Sequence, residues 1–230
     1  MGINKYYELD GYVLSSSTLS AGPYLYVQGI KFSNPNKTET DAIIDGSIVN
    51  LKSNATTIRK SIFHQCSALE TIDFPQALTI DEYTFSRCTN LKSINLPLLT
   101  TINGAETFSY CPNLKEVILP NVTGKLGATF QSCSNLEKVD LHKLVTLNSG
   151  VFSNCSKLKT LILRSSTCCT LSYINALGST PFANGGSGGT LYVPNDLITT
   201  YQSANNWSTI LGYGSGQQNQ ILAIENSPYA

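Results

Sequence analysis

The chain has 230 residues with 15 Lys plus Arg against 15 Asp plus Glu, so no net field draws nucleic acid or an anionic membrane surface. Charged residues make up only 13% of the chain, about half the usual share, and the polar surface must come from Ser, Thr, Asn and Gly. Its apolar runs fall far short of the roughly 20 residues that span a bilayer. The opening Met1-Gly2-Ile3-Asn4-Lys5-Tyr6-Tyr7 holds neither the apolar core nor the small-residue cleavage site of a secretion signal, so a signal was removed or none existed. Residues 1–45 are rich in Tyr and carry turn signals at Ala21-Gly22-Pro23 and Asn34-Pro35-Asn36. They predict short strands, one of them over Tyr24 to Ile30, in an N-terminal cap or attachment region.

Residues 46–164 repeat. Phe-x-x-Cys-x-x-Leu occurs as Phe63/Cys66/Leu69, Phe85/Cys88/Leu91, Phe108/Cys111/Leu114, Phe130/Cys133/Leu136 and Phe152/Cys155/Leu158. Each hit continues as Leu-x-x-Ile-x-Leu or a close variant, ending at Phe74, Leu96, Leu119, Leu141 and Leu163. The alternation predicts a short strand, closed in the second unit by Pro97, which cannot extend a central ladder. The segment Ile80 to Cys88 has room for one helical turn that points Phe85 inward. A single unit cannot bury its own apolar edge, whereas stacked units bury a continuous column. The step from Phe85 to Phe108 carries one extra residue, which predicts a loop adjustment around Asn103 to Glu106 with the register kept. In the fourth unit Leu126 lies four residues before Phe130, where Ile58, Ile80 and Leu147 lie five before theirs.

The remaining residues, 165–230, predict a C-terminal cap. Asn195 or a neighbour would cap a helix to about Ala204, with Leu197, Ile198 and Tyr201 on one face. Trp207 and a strand over Ile221-Leu222-Ala223-Ile224 would complete the cover. The stretch Asn184 to Gly189 is Gly-rich but lacks the Lys-Ser/Thr of a phosphate loop, and reads as a connector.

The five units, reading roughly Ile-x-x-x-x-Phe-x-x-Cys-x-x-Leu-x-x-Ile-x-Leu-Pro over residues 58–164, resemble the BspA-like leucine-rich repeats. The segment Gly189 to Leu197, with Tyr201 and Trp207, is similar to the piece that often closes such arrays. The resemblance implies a leucine-rich-repeat solenoid of short parallel β-strands and short helical turns, a right-handed superhelix with terminal caps. It implies a bacterial surface or secreted adhesion protein, or a similar module carried in a bacteriophage particle. It implies no catalytic residues and no cofactor.

Seven cysteines invite disulfide or metal readings. Cys66, Cys88, Cys111, Cys133 and Cys155 occupy one equivalent place per unit, so their Cβ vectors run parallel and miss the torsion a disulfide requires. A buried column of free thiols is expected, since free Cys behaves as a small hydrophobe. A linear column cannot converge four ligands on zinc. Cys168 and Cys169 read as buried cap residues. His64 and His142 sit in turns away from any nucleophile motif and read as solvated. Asn-x-Ser/Thr triplets, as at Asn121 and Asn206, follow from composition.

Every strongly patterned residue thus has a packing role, which leaves the outward strand positions as the candidate binding face. They form three columns: Glu70, Lys92, Lys115, Glu137 and Lys159; Thr71, Ser93, Glu116, Lys138 and Thr160; and Asp73, Asn95, Ile118, Asp140 and Ile162. Mixed charge with exposed isoleucines suits a protein or glycan partner on a cell surface, or other virion proteins, better than a small molecule. Neither nucleic acid nor a membrane span is expected.

Overall fold

Each Phe-x-x-Cys unit closes one coil of a solenoid, and backbone hydrogen bonds on three sides join one coil to the next. The computed structural model describes backbone strands at 6–9, 25–27, 30–32 and 50–53, then residues 56–58, 60–61, 63–182, 188–212 and 220–230. Most of the N-terminal cap expectation lies outside these residues. Within it, Leu25–Val27 pairs antiparallel with Ile30–Phe32, so two short strands stand where one over Tyr24 to Ile30 was expected. Tyr6–Leu9 adds a parallel rung beside Asn50–Ser53.

The first side is the strand line, all parallel: Asn50–Ser53, Thr71–Asp73 and Ser93–Asn95, then Glu116–Leu119, Lys138–Leu141 and Thr160–Leu163. Equivalent residues lie side by side, Val117 beside Val139 and Val139 beside Leu161, so one inward position per coil becomes one buried column. The second side is a line of two-residue strands such as Thr79–Ile80 and Thr146–Leu147. On the third side the Phe turn donates forward, with Phe85 N–H to Thr107 O at 2.8 Å and Arg87 N–H to Ser109 O at 2.8 Å.

Sequence periodicity did not anticipate how the Phe turn is made. Ile80 to Cys88 forms consecutive tight turns and no helix. The residues two before and two after each Phe adopt left-handed backbone: Ser61, Tyr83, Glu106, Ala128 and Gly150, and Gln65, Arg87, Tyr110, Ser132 and Asn154. Only one of these is Gly, and each non-Gly residue there costs on the order of 1–2 kcal/mol. The ladder bonds on either side hold the strain in place. The turn also buries hydroxyls beside the ring, with Ser86 Oγ 2.9 Å from Ser109 Oγ and Thr84 Oγ1 donating to Asp81 O at 2.8 Å.

Inside, Phe63, Phe85, Phe108, Phe130 and Phe152 form one stack, with centroids 5.2, 5.3, 5.5 and 5.8 Å apart and planes within 10° of parallel. The seven cysteines are free thiols, and the five of the column are buried. Their packing has a second component: the Sγ–H of Cys88, Cys111, Cys133 and Cys155 donates to the carbonyl of the preceding coil's Phe at 3.1, 3.3, 3.2 and 3.1 Å. Cysteine is thus both a small hydrophobe and a weak donor to a buried acceptor. Cys168 departs from expectation, being only half-buried.

The extra residue falls where expected, with Gly104 at φ +86° and so close to Glu82 that a Cβ would lie 2.7 Å from that side chain's Cβ. Register survives on the Phe side, where Phe108 N–H donates to Thr129 O at 2.9 Å. It does not survive as one continuous ladder elsewhere. The strand line divides between Ser93–Asn95 and Glu116–Leu119, and the second line divides between Thr101–Ile102 and Lys125–Leu126. A coil longer by one residue cannot match its neighbour on all three sides. Ile94 is accordingly half-exposed, whereas Ile72 and Val117 at the same position are buried.

Coil geometry continues past residue 164. Phe152 N–H donates to Ala176 O and Asn154 N–H to Gly178 O, placing Leu177 where a Phe would stand and Thr180 where a Cys would. Thr190–Val193 then pairs with Thr160–Leu163, and Gln220–Ala223 adds a last parallel rung. The expected helix is a 3-10 turn at Asn195–Leu197 followed by Ile198–Ser203. The Asn195 side chain makes no cap; its N–H instead donates to the Glu225 carboxylate at 3.1 Å.

Two outcomes follow. Phe108→Ala or Leu114→Ala, each in the middle of the buried column, should lower unfolding free energy by roughly 2–5 kcal/mol, against less than about 0.5 for exposed Lys115→Ala, as read by urea titration. Burial pushes the Cys133 and Cys169 thiols up to about 12 from an ordinary 9.0. The unfolded chain therefore loses these protons first: stability is full below about pH 9 and falls toward pH 12, by about 1.4 kcal/mol per unit for each such thiol. Urea midpoints from about pH 8 to pH 10.5 should fall less steeply in Cys133→Ala, while native protein at neutral pH alkylates its column cysteines slowly.

Candidate functional site

The strand line presents its outward side chains in columns because the pleat alternates faces and the parallel register repeats them coil by coil. Lys92, Asn95, Lys115, Ile118, Glu137 and Lys159 are exposed, and Glu70 and Asp73 are half-buried. Neighbouring coils pair their polar groups: Lys92 Nζ lies 2.8 Å from Glu70, Lys138 Nζ 2.5 Å from Glu116, and Asn95 Nδ2 donates to Asp73 Oδ1 at 2.7 Å. These solvent-facing pairs add little stability. They leave Ile118, 48% exposed, as an apolar patch among charges.

Asp140 and Ile162 do not lie on the open face as expected; they are 6% and 0% exposed. Arg164 grips Asp140 through Nε at 2.9 Å and Nη2 at 3.0 Å, and the same Nη2 donates to the carbonyl of Tyr229 at 2.6 Å. The Tyr229 ring packs edge-on against Tyr192 at 5.1 Å, with Lys138 Nζ 5.1 Å from its centroid. The final residues thus fold back across the later rungs and cover them. Tyr192 was legible as the next member of the Asp140/Ile162 column once Thr190–Val193 is seen as a rung. Nothing in the local sequence marks Tyr229, because the partners of its ring and carbonyl lie 37 or more positions away.

The histidines differ from the solvated reading. His142 is half-buried with Nε2 3.3 Å from Asp140, and burial lowers its pKa more than Asp140 raises it. His64 is half-buried with Nδ1 enclosed and unpaired; burial, then Arg87, lowers its pKa. Among the described residues, no group of three or more His, Cys, Asp or Glu could hold a metal ion. Among the same residues, no helix is long and apolar enough to cross a membrane.

Three solved structures are similar to this chain at low identity. A leucine rich cell surface protein from Faecalibacterium prausnitzii is 18% identical with a TM-score of 0.49, covering 65% of this chain and 44% of its own. The leucine rich repeat protein of T. pallidum is 23% identical with a TM-score of 0.40, covering 51% of this chain and 66% of its own. A leucine-rich repeat protein from Bacteroides ovatus is 19% identical with a TM-score of 0.40, covering 76% of this chain and 60% of its own. This chain therefore spans less than two thirds of each. No curated protein sequence matches it. The BspA type leucine rich repeat region matches in 6 copies over residues 45–128 and 99–210, well over half of the sequence, and the chain belongs to that family.

Proposed function

We propose that this chain is a non-enzymatic binding module that engages a protein or glycan partner at the bacterial surface through the open part of its strand face. The observation that carries the reading is the row Lys92, Asn95, Lys115, Ile118, Glu137 and Lys159: exposed, aligned by the coil register, and varied in chemistry while the inward positions stay uniform. Aligned variation on a rigid stack is how repeat proteins acquire specificity. A half-exposed isoleucine within a charged rim has the anatomy of a contact centre, an apolar anchor surrounded by polar groups. The C-terminal fold-back leaves Asp140 and Ile162 out of this face, since Asp140 is committed to Arg164 and Ile162 is buried. Family membership supports binding over catalysis.

The test replaces Lys92, Asn95, Lys115 and Ile118 together by Ala or Ser and measures attachment to bacterial cells and envelope extracts, with thermal denaturation confirming the fold. Asp140 stays, because removing it would strand the Arg164 guanidinium. Attachment should fall by about tenfold or more, the loss of roughly 1.4 kcal/mol of contact. Undiminished attachment would exclude the strand face and favour a spacer role, as in a bacteriophage particle.

A further inference from the structure

Where the last complete coil meets the terminal helices Ile198–Ser203 and Trp207–Ile210, a groove of about 630 Å³ opens on the side of the molecule defined by the two-residue strands. Its floor is fixed. Trp207 Nε1 donates to Cys169 O at 2.6 Å, and Asn206 Nδ2 donates to Leu171 O at 2.7 Å and Ser172 O at 3.1 Å, so the polar atoms below are already occupied. Its rim is different. Asn148, Thr170, Ser172, Thr200 and Asn205 line it, and no hydrogen bond among the described residues engages their side chains. Tyr173 stands at the edge, 60% exposed.

None of the lining residues is charged. An anion would find no cation to pair with and a cation no carboxylate. A wholly apolar ligand would find its complement buried out of reach, since Trp207 is 0% and Leu171 2% exposed. The rim instead offers amides and hydroxyls, groups that both donate and accept, beside one open aromatic ring. That set matches a pyranose: neighbouring hydroxyls need mixed donors and acceptors, and the ring's C–H face needs an apolar plane with a wet edge. The volume lies within the roughly 300–1,000 Å³ of small-molecule sites. We infer that this groove is a binding site for a neutral saccharide, separate from the strand face and independent of it.

The molecule carries its own reporters. Trp207 is the single tryptophan and lines the groove. Cys168 also lines it and is the one half-buried thiol of the seven, the rest being buried. Methyl mannoside, methyl galactoside, N-acetylglucosamine, lactose and maltotriose are titrated into the full chain, with sialyllactose as the charged counterpart. Tryptophan emission and the rate of Cys168 alkylation are followed. At least one neutral saccharide should give a saturable emission change at millimolar concentration and slow Cys168 alkylation with the same midpoint. Tyr173→Ala and Asn205→Ala, both at exposed positions, should each weaken that midpoint by about tenfold. The Lys92, Asn95, Lys115 and Ile118 variant should leave it unchanged, which separates this site from the strand face. Absence of saturation by every neutral saccharide, saturation by sialyllactose alone, or a midpoint unmoved by Tyr173→Ala would overturn the assignment.

Discussion

The coil-to-coil hydrogen bond is the constraint from which the rest follows. Once Phe85 N–H reaches Thr107 O and Lys92 N–H reaches Glu70 O, the coils are locked at ladder spacing on both sides of the core, and a residue at a given place must fit directly against its own equivalents. A phenyl ring meets that demand well, because parallel rings at 5.2–5.8 Å are an attractive arrangement. Cysteine meets it differently. The Phe carbonyl is buried, and the thiol of the next coil is small enough to fit there while donating to it. The left-handed residues flanking each Phe are the backbone's share of the same requirement, since the chain must turn sharply twice to bring Phe N–H and the N–H two residues on into line with the next coil.

A stack held by ladders has an end problem, and the C-terminal region addresses it at the level of single atoms. The short strand Thr170–Leu171 closes its line, and Cys169 just before it has a buried backbone with no further coil to pair with. The Tyr201 hydroxyl accepts from Cys169 N–H at 2.8 Å, the Trp207 indole donates to Cys169 O, and Asn206 donates to Leu171 O. The helices therefore cover apolar residues and also supply the missing rung with side chains. Burial pushes the Tyr201 hydroxyl well above its ordinary range, so it remains protonated in this role.

The same regularity governs the surface. Uniform inward positions make a scaffold, and the outward positions are then aligned without further design. Departures from uniformity sit beside the proposed contact region: the division of the strand line next to Ile118, and the fold-back that withdraws Asp140 and Ile162 from solvent. Arg164 anchors the fold-back, since one guanidinium holds both Asp140 and the Tyr229 carbonyl.

The sequence by itself determined the repeat, its period, the inward columns and the place of the extra residue, because each coil imposes the same local requirement and repetition makes that requirement visible. It determined the reduced state of the cysteine column for the same reason, parallel side chains being unable to form the bond. Three features were decided only by tertiary structure. Left-handed turns occupied by Tyr, Arg, Glu and Ala carry no local signature, since the strain is borne by ladder bonds to other coils. Asp140 is buried under Arg164, which also holds the carbonyl of Tyr229 at the far end of the chain, and Ile162 lies beside Tyr192 on a rung added after the last clear repeat. The groove between Tyr173 and Asn205 exists because the terminal helices close on the last coil, and residues that meet only when an array ends cannot be read from the pattern that makes it repeat.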